Sequence, residues 1–545
     1  MSSSSSEVPM AHDLEKADGA KSPWAQVDLE PKRKLTGVKW FFFNISTLTA
    51  IFLYALDNTV VANIQPSIVG QFDAVDKLPW LSVGFMIGGL SMVMPLGKLY
   101  ALYDAKILFI FFAINFMAAS ALCGGAPNMP AEIIGRVWAG AGGNGMYYGL
   151  LNLVSTNTLE RERPTYLSLT GMIWGVGTVL GPVVGGAFEL YTWRWAFYIN
   201  LLFGAIIVPA YLFLIPSNNP APSLTLREKI ITFDWLGAIL STGGFVTLIV
   251  ATNFGGDLYA WNSGTIIALY VVSGVLWILL MLQQTFTILT TVEHRMFPVH
   301  LLRNREAILL CLLASCGGSI AYITVYYIPL YYQFTRGDSA IKTAERILPL
   351  IFLLIFGMLS NGYLMSKFGW YKPWYVCGAA ISLVGAVLMS RLKLESSNSE
   401  IYGYQVLIGL GAGSFAHASF AVIQTAVNPK DTVYGVTLIM LGQLCGLTIG
   451  LSVTGALFIN LAKSNLQAVF PTVDKSTLAS VVSGTSGGFL ETQSDTKKSQ
   501  ALAAIVSALQ DVFTDVYVVA ALACILSVFL KVFTLALQCF LLFSG

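Results

Sequence analysis

Gly177-Thr178-Val179-Leu180-Gly181-Pro182-Val183-Val184-Gly185-Gly186 lies inside an uncharged apolar segment. Glycine at four-residue spacing lets helix backbones approach closely within lipid. Pro182 removes one bond from the helical ladder beside that contact. A water-soluble domain has little use for such a segment. A membrane bundle can use it as a close-packed, bendable helix at an interface between bundles.

The rest of the chain agrees. Of 545 residues, 55% are hydrophobic and 11% charged, against roughly 25% charge in soluble domains. Long uncharged runs therefore read as spans of about 20 residues. The net charge of +2 gives no support for nucleic-acid binding. Cys123, Cys311, Cys316, Cys377, Cys445, Cys524 and Cys539 all lie in or beside apolar runs, with no CxxC pair. They read as small packing residues rather than a disulfide or metal framework.

Fourteen spans are expected, at 40–66, 79–97, 107–125, 131–156, 166–189, 196–215, 233–253, 265–289, 307–332, 344–365, 373–391, 401–427, 433–461 and 512–530. Residues 1–39 are Ser-rich and then charged, and read as a disordered cytosolic tail. Lys32-Arg33-Lys34 and Lys39 abut the first span and place the N-terminus in the cytosol. With alternation from there, 19 of the 31 Lys and Arg fall in cytosolic segments and 11 in external ones. Both termini are then cytosolic. Residues 217–232 read as a cytosolic linker, 462–511 as a polar, mobile external loop, and 512–545 as the last span and C-terminus. After Lys531 a further apolar run either extends the last helix or lies in the interface.

Two motifs recur. Gly97-Lys98-Leu99 opens a short basic connection ending at Lys106. Gly362-Tyr363-Leu364 opens another, with Lys367, Gly369 and Lys372, 265 residues later. Arg136-Val-Trp-Ala-Gly140-Ala-Gly142 is echoed by Gln405-Val-Leu-Ile-Gly409-Leu-Gly411 at an offset of 269. Two pairs at nearly one offset argue for a duplicated six-span bundle, at 40–216 and 305–530, related by an axis along the membrane normal. The spans within 233–290 are then an inserted pair.

These motifs resemble the major facilitator superfamily, and more narrowly its fourteen-span drug:proton antiporter family in fungal form. Leu56-Asp57-Asn58-Thr59-Val60-Val61-Ala62-Asn63-Ile64-Gln65-Pro66 matches the first-span signature. Arg136, Gly140 and Gly142 match the fourth-span motif, 177–186 the antiporter motif, and Trp193-Arg194-Trp195-Ala196-Phe197-Tyr198-Ile199-Asn200 the next connection. The chain departs from the family at Ala101, where an aspartate is usual, and at Asp104, where a glycine is frequent. The second-half copy has Ser366 at the acidic position. The departure at Ala101 weighs against a charge-pair gate in the first of these loops, although Lys106 remains. The resemblance implies an all-α membrane fold of fourteen helices that works by alternating access. It also implies proton-coupled antiport without a cofactor, with a proton gradient as the driving force. The cargo would be a small hydrophobic organic compound, such as a secondary metabolite, toxin or drug. The expected setting is a monomer in the plasma membrane, with the vacuolar membrane as the alternative.

Asp57 stands in an otherwise uncharged run. An ionised carboxylate there should hold a proton or find a cation, and either suits proton coupling; the plainer reading is a structural polar contact. Arg136 stays charged and can hold a carboxylate ionised, or act as a static packing charge. Asp57 lies about 13 Å before the outer end of its span and Arg136 about 8 Å inside its own, so the two could pair. Arg136, Gly140, Asn144 and Tyr147 recur at helical spacing, as do Gly413, His417, Phe420 and Gln424. Asn144, Tyr147, His417, Gln424, Gln405 and Tyr326 are the candidate cavity residues. His417 is otherwise a packed core residue, and Tyr331 and Tyr332 fit an interfacial aromatic belt.

No GxxxxGK[ST] loop, HExxH or Cys/His zinc spacing is present, which argues against an ATP-driven pump or an enzyme. Transport of amino acids or iron chelates, and a transporter-fold sensor, are the rival readings.

Overall fold

The computed structural model describes residues 35–531, apart from 75–76, 257, 298, 483–488 and 490–491. The expected tail at 1–34 and the run at 532–545 lie outside the described residues.

The first bundle comprises α1 (Gly37–Phe72), α2 (Leu78–Ser91), α3 (Val93–Leu102), α4 (Ala105–Gly124), α5 (Met129–Asn157), α6 (Arg163–Glu189) and α7 (Trp195–Leu214). The short α8 (Leu226–Ile231) leads to the inserted pair, α9 (Trp235–Phe254) and α10 (Gly264–Phe286). The second bundle comprises α11 (Arg305–Arg336), the short α12 (Ala340–Arg346), α13 (Leu348–Phe368), α14 (Lys372–Met389), α15 (Asn398–Gly413), α16 (Ala418–Ala426), α17 (Thr432–Val469), α18 (Lys475–Val482) and α19 (Asp495–Val528).

Among the described residues, thirteen helical stretches are long and apolar enough to cross a membrane. A fourteenth, α5, is 29 residues long and carries Glu132, Arg136 and Asn144, so composition alone passes it over. Its polar residues are buried between α2 and α4. Lipid-facing positions are the reverse: Val271, Ile278 and Leu282 of α10 are exposed.

Two expectations need correction and one gains detail. The segment 462–511 is not one loop, because α17 runs to Val469 and α19 begins at Asp495. The linker at 217–232 contains α8, started by a Thr225/Glu228 capping box. The span at 401–427 is interrupted at 414–417. There Gly409 and Gly413 lie against the backbone of α13, and Ser414 donates to the Leu410 carbonyl at 2.7 Å. That bond competes with the helical ladder. The helical spacing assumed from Gly413 to Gln424 therefore does not hold.

The bundles meet through equivalent helices. α6 packs on α13, and α3 on α17. The duplication shows in detail. Lys106 at the start of α4 donates to the Leu212 carbonyl of α7 at 2.6 Å. Lys372 at the start of α14 donates to the Val528 carbonyl of α19 at 2.7 Å. Each cation caps the carbonyl end of the neighbouring helix. Gly369 ends α13 at φ +74°, a left-handed position that suits glycine.

Candidate functional site

A cavity of about 510 Å³ lies between the bundles and opens on the face opposite the start of α1. Asn58 and Thr59 of α1, Thr178 and Pro182 of α6, Tyr322 and Tyr326 of α11, and Ser452 of α17 line it. The inserted pair also contributes, through Thr252 and Asn253 at the end of α9. Its described lining contains no Asp, Glu, Lys, Arg or His. Such a chamber offers hydrogen bonds and apolar contact but no counter-charge.

The floor, at the lining residue Tyr322, is backed by aromatic rings. Trp174 of α6 has ring centroids 5.3 Å from both Tyr54 and Tyr147, and 6.5 Å from Tyr322 of the other bundle. Its buried indole Nε1 has no hydrogen-bond partner. Sequence reading did not single out Trp174; an indole in mid-span was the available signal.

Below this floor the bundles are tied together. Tyr148 donates to the Val433 carbonyl at 2.7 Å and lies 2.5 Å from Thr437 Oγ1. Lys98 donates to the Glu293 carbonyl at 3.1 Å and to Tyr434 Oη at 3.3 Å. Thr165 donates to the Gly362 carbonyl at 3.2 Å, and the Ser366 hydroxyl bonds the Arg161 carbonyl. Hydrogen bonds hold this face around Ala101 and Ser366, where the family pattern has acids. Asp104 instead caps α4, accepting from the Lys106 amide at 2.8 Å. Lys367 stays near the surface, 5.5 Å from the Phe368 ring.

Of the six candidate cavity residues, Tyr326 lines the open chamber. Asn144 donates to the Gly89 carbonyl at 2.6 Å and fixes α5 to α2. Tyr147 reaches Gln443 of α17 at 3.4 Å, and Gln424 reaches Ser155 of α5 at 2.8 Å. Those two bonds cross between bundles in the closed half. His417 lies next to Gly171 of α6, with its Nδ1 unpartnered. Gln405 is fully buried, and neither of its amide atoms has a partner.

Gly177 and Gly181 do not face the other bundle. A methyl group on Gly177 would meet Ala55 Cβ at 2.8 Å, and one on Gly181 would overlap Thr59, both on α1. They hold α1 against α6 within one bundle. The contact with α13 is made nearer the N-terminal face, where Gly171 lies against Met358 and Gly175 against Ile355. Helical periodicity explains this, because positions 171 and 175 point away from 177 and 181. Pro182 sits within the continuous helix and lines the cavity. Gly185 is buried near the same end; Gly186 follows it on α6.

Directly behind Asn58 is a buried charge cluster. Arg136 Nη1 lies 2.5 Å from Asp57 Oδ2, with side-chain exposures of 1% and 0%. Nη2 donates to the Asp57 carbonyl at 3.4 Å and Nε to the Leu81 carbonyl at 3.3 Å. The guanidinium carbon is 4.4 Å from the Phe85 ring centroid. Asn200 of α7 donates to Asp57 Oδ1 at 3.0 Å and to Ser120 of α4 at 3.1 Å. Asn200 and Ser120 were not among the candidates, although an amide within the apolar run of α7 was the visible signal. A charge-assisted bond in this setting is strong. Loss of one partner would leave an uncompensated buried charge.

Two repeated helix bundles around a chamber open on one face and closed on the other are the architecture of a membrane transporter. The sequence model for the Major Facilitator Superfamily matches residues 47–447, and the chain belongs to that superfamily. It is 50% identical over 513 residues to the "Phomenoic acid biosynthesis cluster MFS-type transporter" of Leptosphaeria maculans, covering 91% of this chain and 82% of that protein. It is 38% identical to "Efflux pump DEP3" of Fusarium langsethiae, covering 92% of each. Among solved structures, a bacterial homolog of the human lysosomal transporter Spinster, inward-facing and unoccupied, aligns with a TM-score of 0.54. That match covers 90% of this chain and 98% of the other at 15% identity, so the likeness is one of fold.

Proposed function

We propose that this transporter exports small organic compounds in exchange for protons, as a fourteen-span drug:proton antiporter of fungal type. The observation that carries the reading is the Asp57–Arg136–Asn200 cluster, placed one residue behind the cavity wall at Asn58 and Thr59. Protonating Asp57 would break its bond to Arg136. That break would reach the wall of the cargo chamber through α1 itself. The cycle is alternating access, in which the tied face opens as the chamber closes. With the N-terminus in the cytosol, as its basic residues favour, the open face is outside and this state is the one that releases cargo. The membrane is the plasma membrane, with the vacuolar membrane as the alternative.

The chamber supports a cargo that is uncharged as it crosses. A fixed charge would be desolvated there with no partner, at a cost of several kcal/mol. Amino acids carry both a carboxylate and an amine. Asp57 and Arg136, the residues that could anchor them, are sealed behind the wall. Relatives named for a metabolite cluster and for efflux favour a secondary metabolite or toxin.

The test is accumulation of a panel of neutral toxins and dyes in cells expressing the chain, with and without a protonophore. Lower accumulation that the protonophore restores is expected. Export that ignores the protonophore would remove the proton from the reading. Unchanged accumulation with confirmed surface protein would remove export.

A further inference from the structure

Glu132 stands in the first turn of α5, one turn before Arg136. It is completely buried, and neither carboxylate oxygen has a hydrogen-bond partner. Residues four apart on a helix share a face, so Glu132 and Asp57 border the same guanidinium. Its other neighbours offer the carboxyl no more than the weak thiol donor of Cys123. Cys123 of α4 contacts its backbone carbonyl at 3.9 Å. Arg194, before α7, gives its Nη1 and Nη2 groups to the Gly124 and Ala126 carbonyls at 2.7 and 3.0 Å. Tyr198 of α7 packs on Gly124. The adjacent α2 carries no titratable side chain.

The cluster thus holds two carboxyl groups and one arginine, and Asp57 has the arginine. A dry carboxylate with no cation of its own and no donor stronger than a thiol is far costlier than the neutral acid. A second orphan atom completes the arrangement: Asn200 Oδ1 is buried without a partner, while its Nδ2 already serves Asp57. An amide oxygen accepts from an O–H. It is therefore a ready partner for Asp57 once that residue carries a proton.

We propose that Glu132 is the second carboxyl group of the coupling site, and that one proton alternates between Glu132 and Asp57 while Arg136 pairs with whichever is ionised. In the state described, Glu132 is the acid and Asp57 the carboxylate. When the proton moves, its O–H bond at Glu132 breaks and one forms at Asp57. Asp57 then donates to Asn200, and Arg136 turns back one helical turn to the new Glu132 carboxylate. The cluster keeps one proton and one ion pair in both arrangements. Glu132 lies about 6 Å nearer the open face than Arg136, so the transfer carries the proton inward from that side. The proposal rests on the proton-coupled reading above, but its test does not need transport.

The experiment is infrared spectroscopy of the full-length protein in lipid nanodiscs in D2O, reading the protonated-carboxyl band at neutral pH. A band is expected that moves when glutamate is carboxyl-labelled with carbon-13 and disappears in Glu132→Gln. It should also disappear in Asp57→Asn, because Arg136 is then free to pair with an ionised Glu132. A buried acid of purely structural role would keep its band in Asp57→Asn, and that result would overturn the proposal. So would an absent band, or one insensitive to labelled glutamate, in the unaltered protein. The labelling arm stands even if a variant does not fold. Protonophore-insensitive export with the expected bands would instead count against the coupling reading alone.

Discussion

Gly97 of α3 and Thr437 of α17 lie so close that a methyl group on residue 97 would fall 2.8 Å from the Thr437 methyl carbon. The same position in the second half is occupied by Gly362, where a methyl group would fall 2.6 Å from Ser168 Cβ of α6. One repeated glycine therefore sets how tightly each bundle closes on the other at the N-terminal face.

Gly97→Ala should disfavour the closed N-terminal face. Overpacking costs about 1–3 kcal/mol, which corresponds to a shift of roughly 5- to 150-fold between states. A cysteine placed at Tyr434 should become reactive from the N-terminal side in Gly97→Ala and stay protected without it. Equal protection in both would mean that the contact does not govern closure.

Gly181→Leu should abolish transport, and the packing gives the reason. The side chain would displace Thr59, a wall residue, and part α1 from α6. Cargo binding and protein yield should fall together, whereas a defect confined to the conformational cycle would spare both. Efflux measured against surface expression separates these outcomes.

Arg136→Ala should destabilise by about 3–5 kcal/mol, since it leaves Asp57 buried without its cation. The double change Asp57→Asn with Arg136→Gln should lose less, because no charge remains uncompensated. Thermal unfolding in detergent checks the order. A double variant less stable than Arg136→Ala would show that the pair itself, rather than the unpaired charge, dominates.

Asn253→Ala, at the end of the inserted α9, should alter cargo preference although it lies outside both six-helix bundles. Loss of one hydrogen bond of about 1 kcal/mol corresponds to roughly fivefold weaker half-saturation for cargos that use it. Maximal rate should be unchanged. An identical cargo profile would make the inserted pair a bystander.

Asp338, between α11 and α12, tests pH dependence outside the spans. Burial pushes its carboxyl up, but bonds from Lys342 at 2.9 Å and Arg346 at 3.1 Å outweigh this and hold it below its usual value. A lowered folded value means that the pair stabilises above the unfolded value of about 3.9 and is lost as pH falls through the folded one. Asp338→Asn should therefore unfold earlier than the unaltered protein at neutral pH and match it in strong acid. Parallel curves at all pH values would contradict the linkage.

The placement of Asp57 and Arg136 shows where sequence reading stops. Each was visible as a charge in an apolar run, and their depths made a pair feasible. The neighbours Asn200, Ser120 and Glu132 come from other helices or are hidden by their own helix's polarity. Likewise 177–186 was legible as a close-packing motif, but which helix it packs against was not.

What the sequence alone determined was the all-helical membrane fold, its two repeated bundles and the inserted pair. Each of these is written locally, because a segment's transfer into lipid depends on its own side chains and a repeat is a property of order along the chain. Only the tertiary structure decided that α6 turns its glycines to α1, that α9 walls the chamber and that Tyr147 and Gln424 tie the closed half. It also decided that one arginine stands between two carboxyl groups. Those facts depend on which faces of distant helices meet. Close packing and the need to satisfy every buried polar group settle that choice, and neither acts within a single segment.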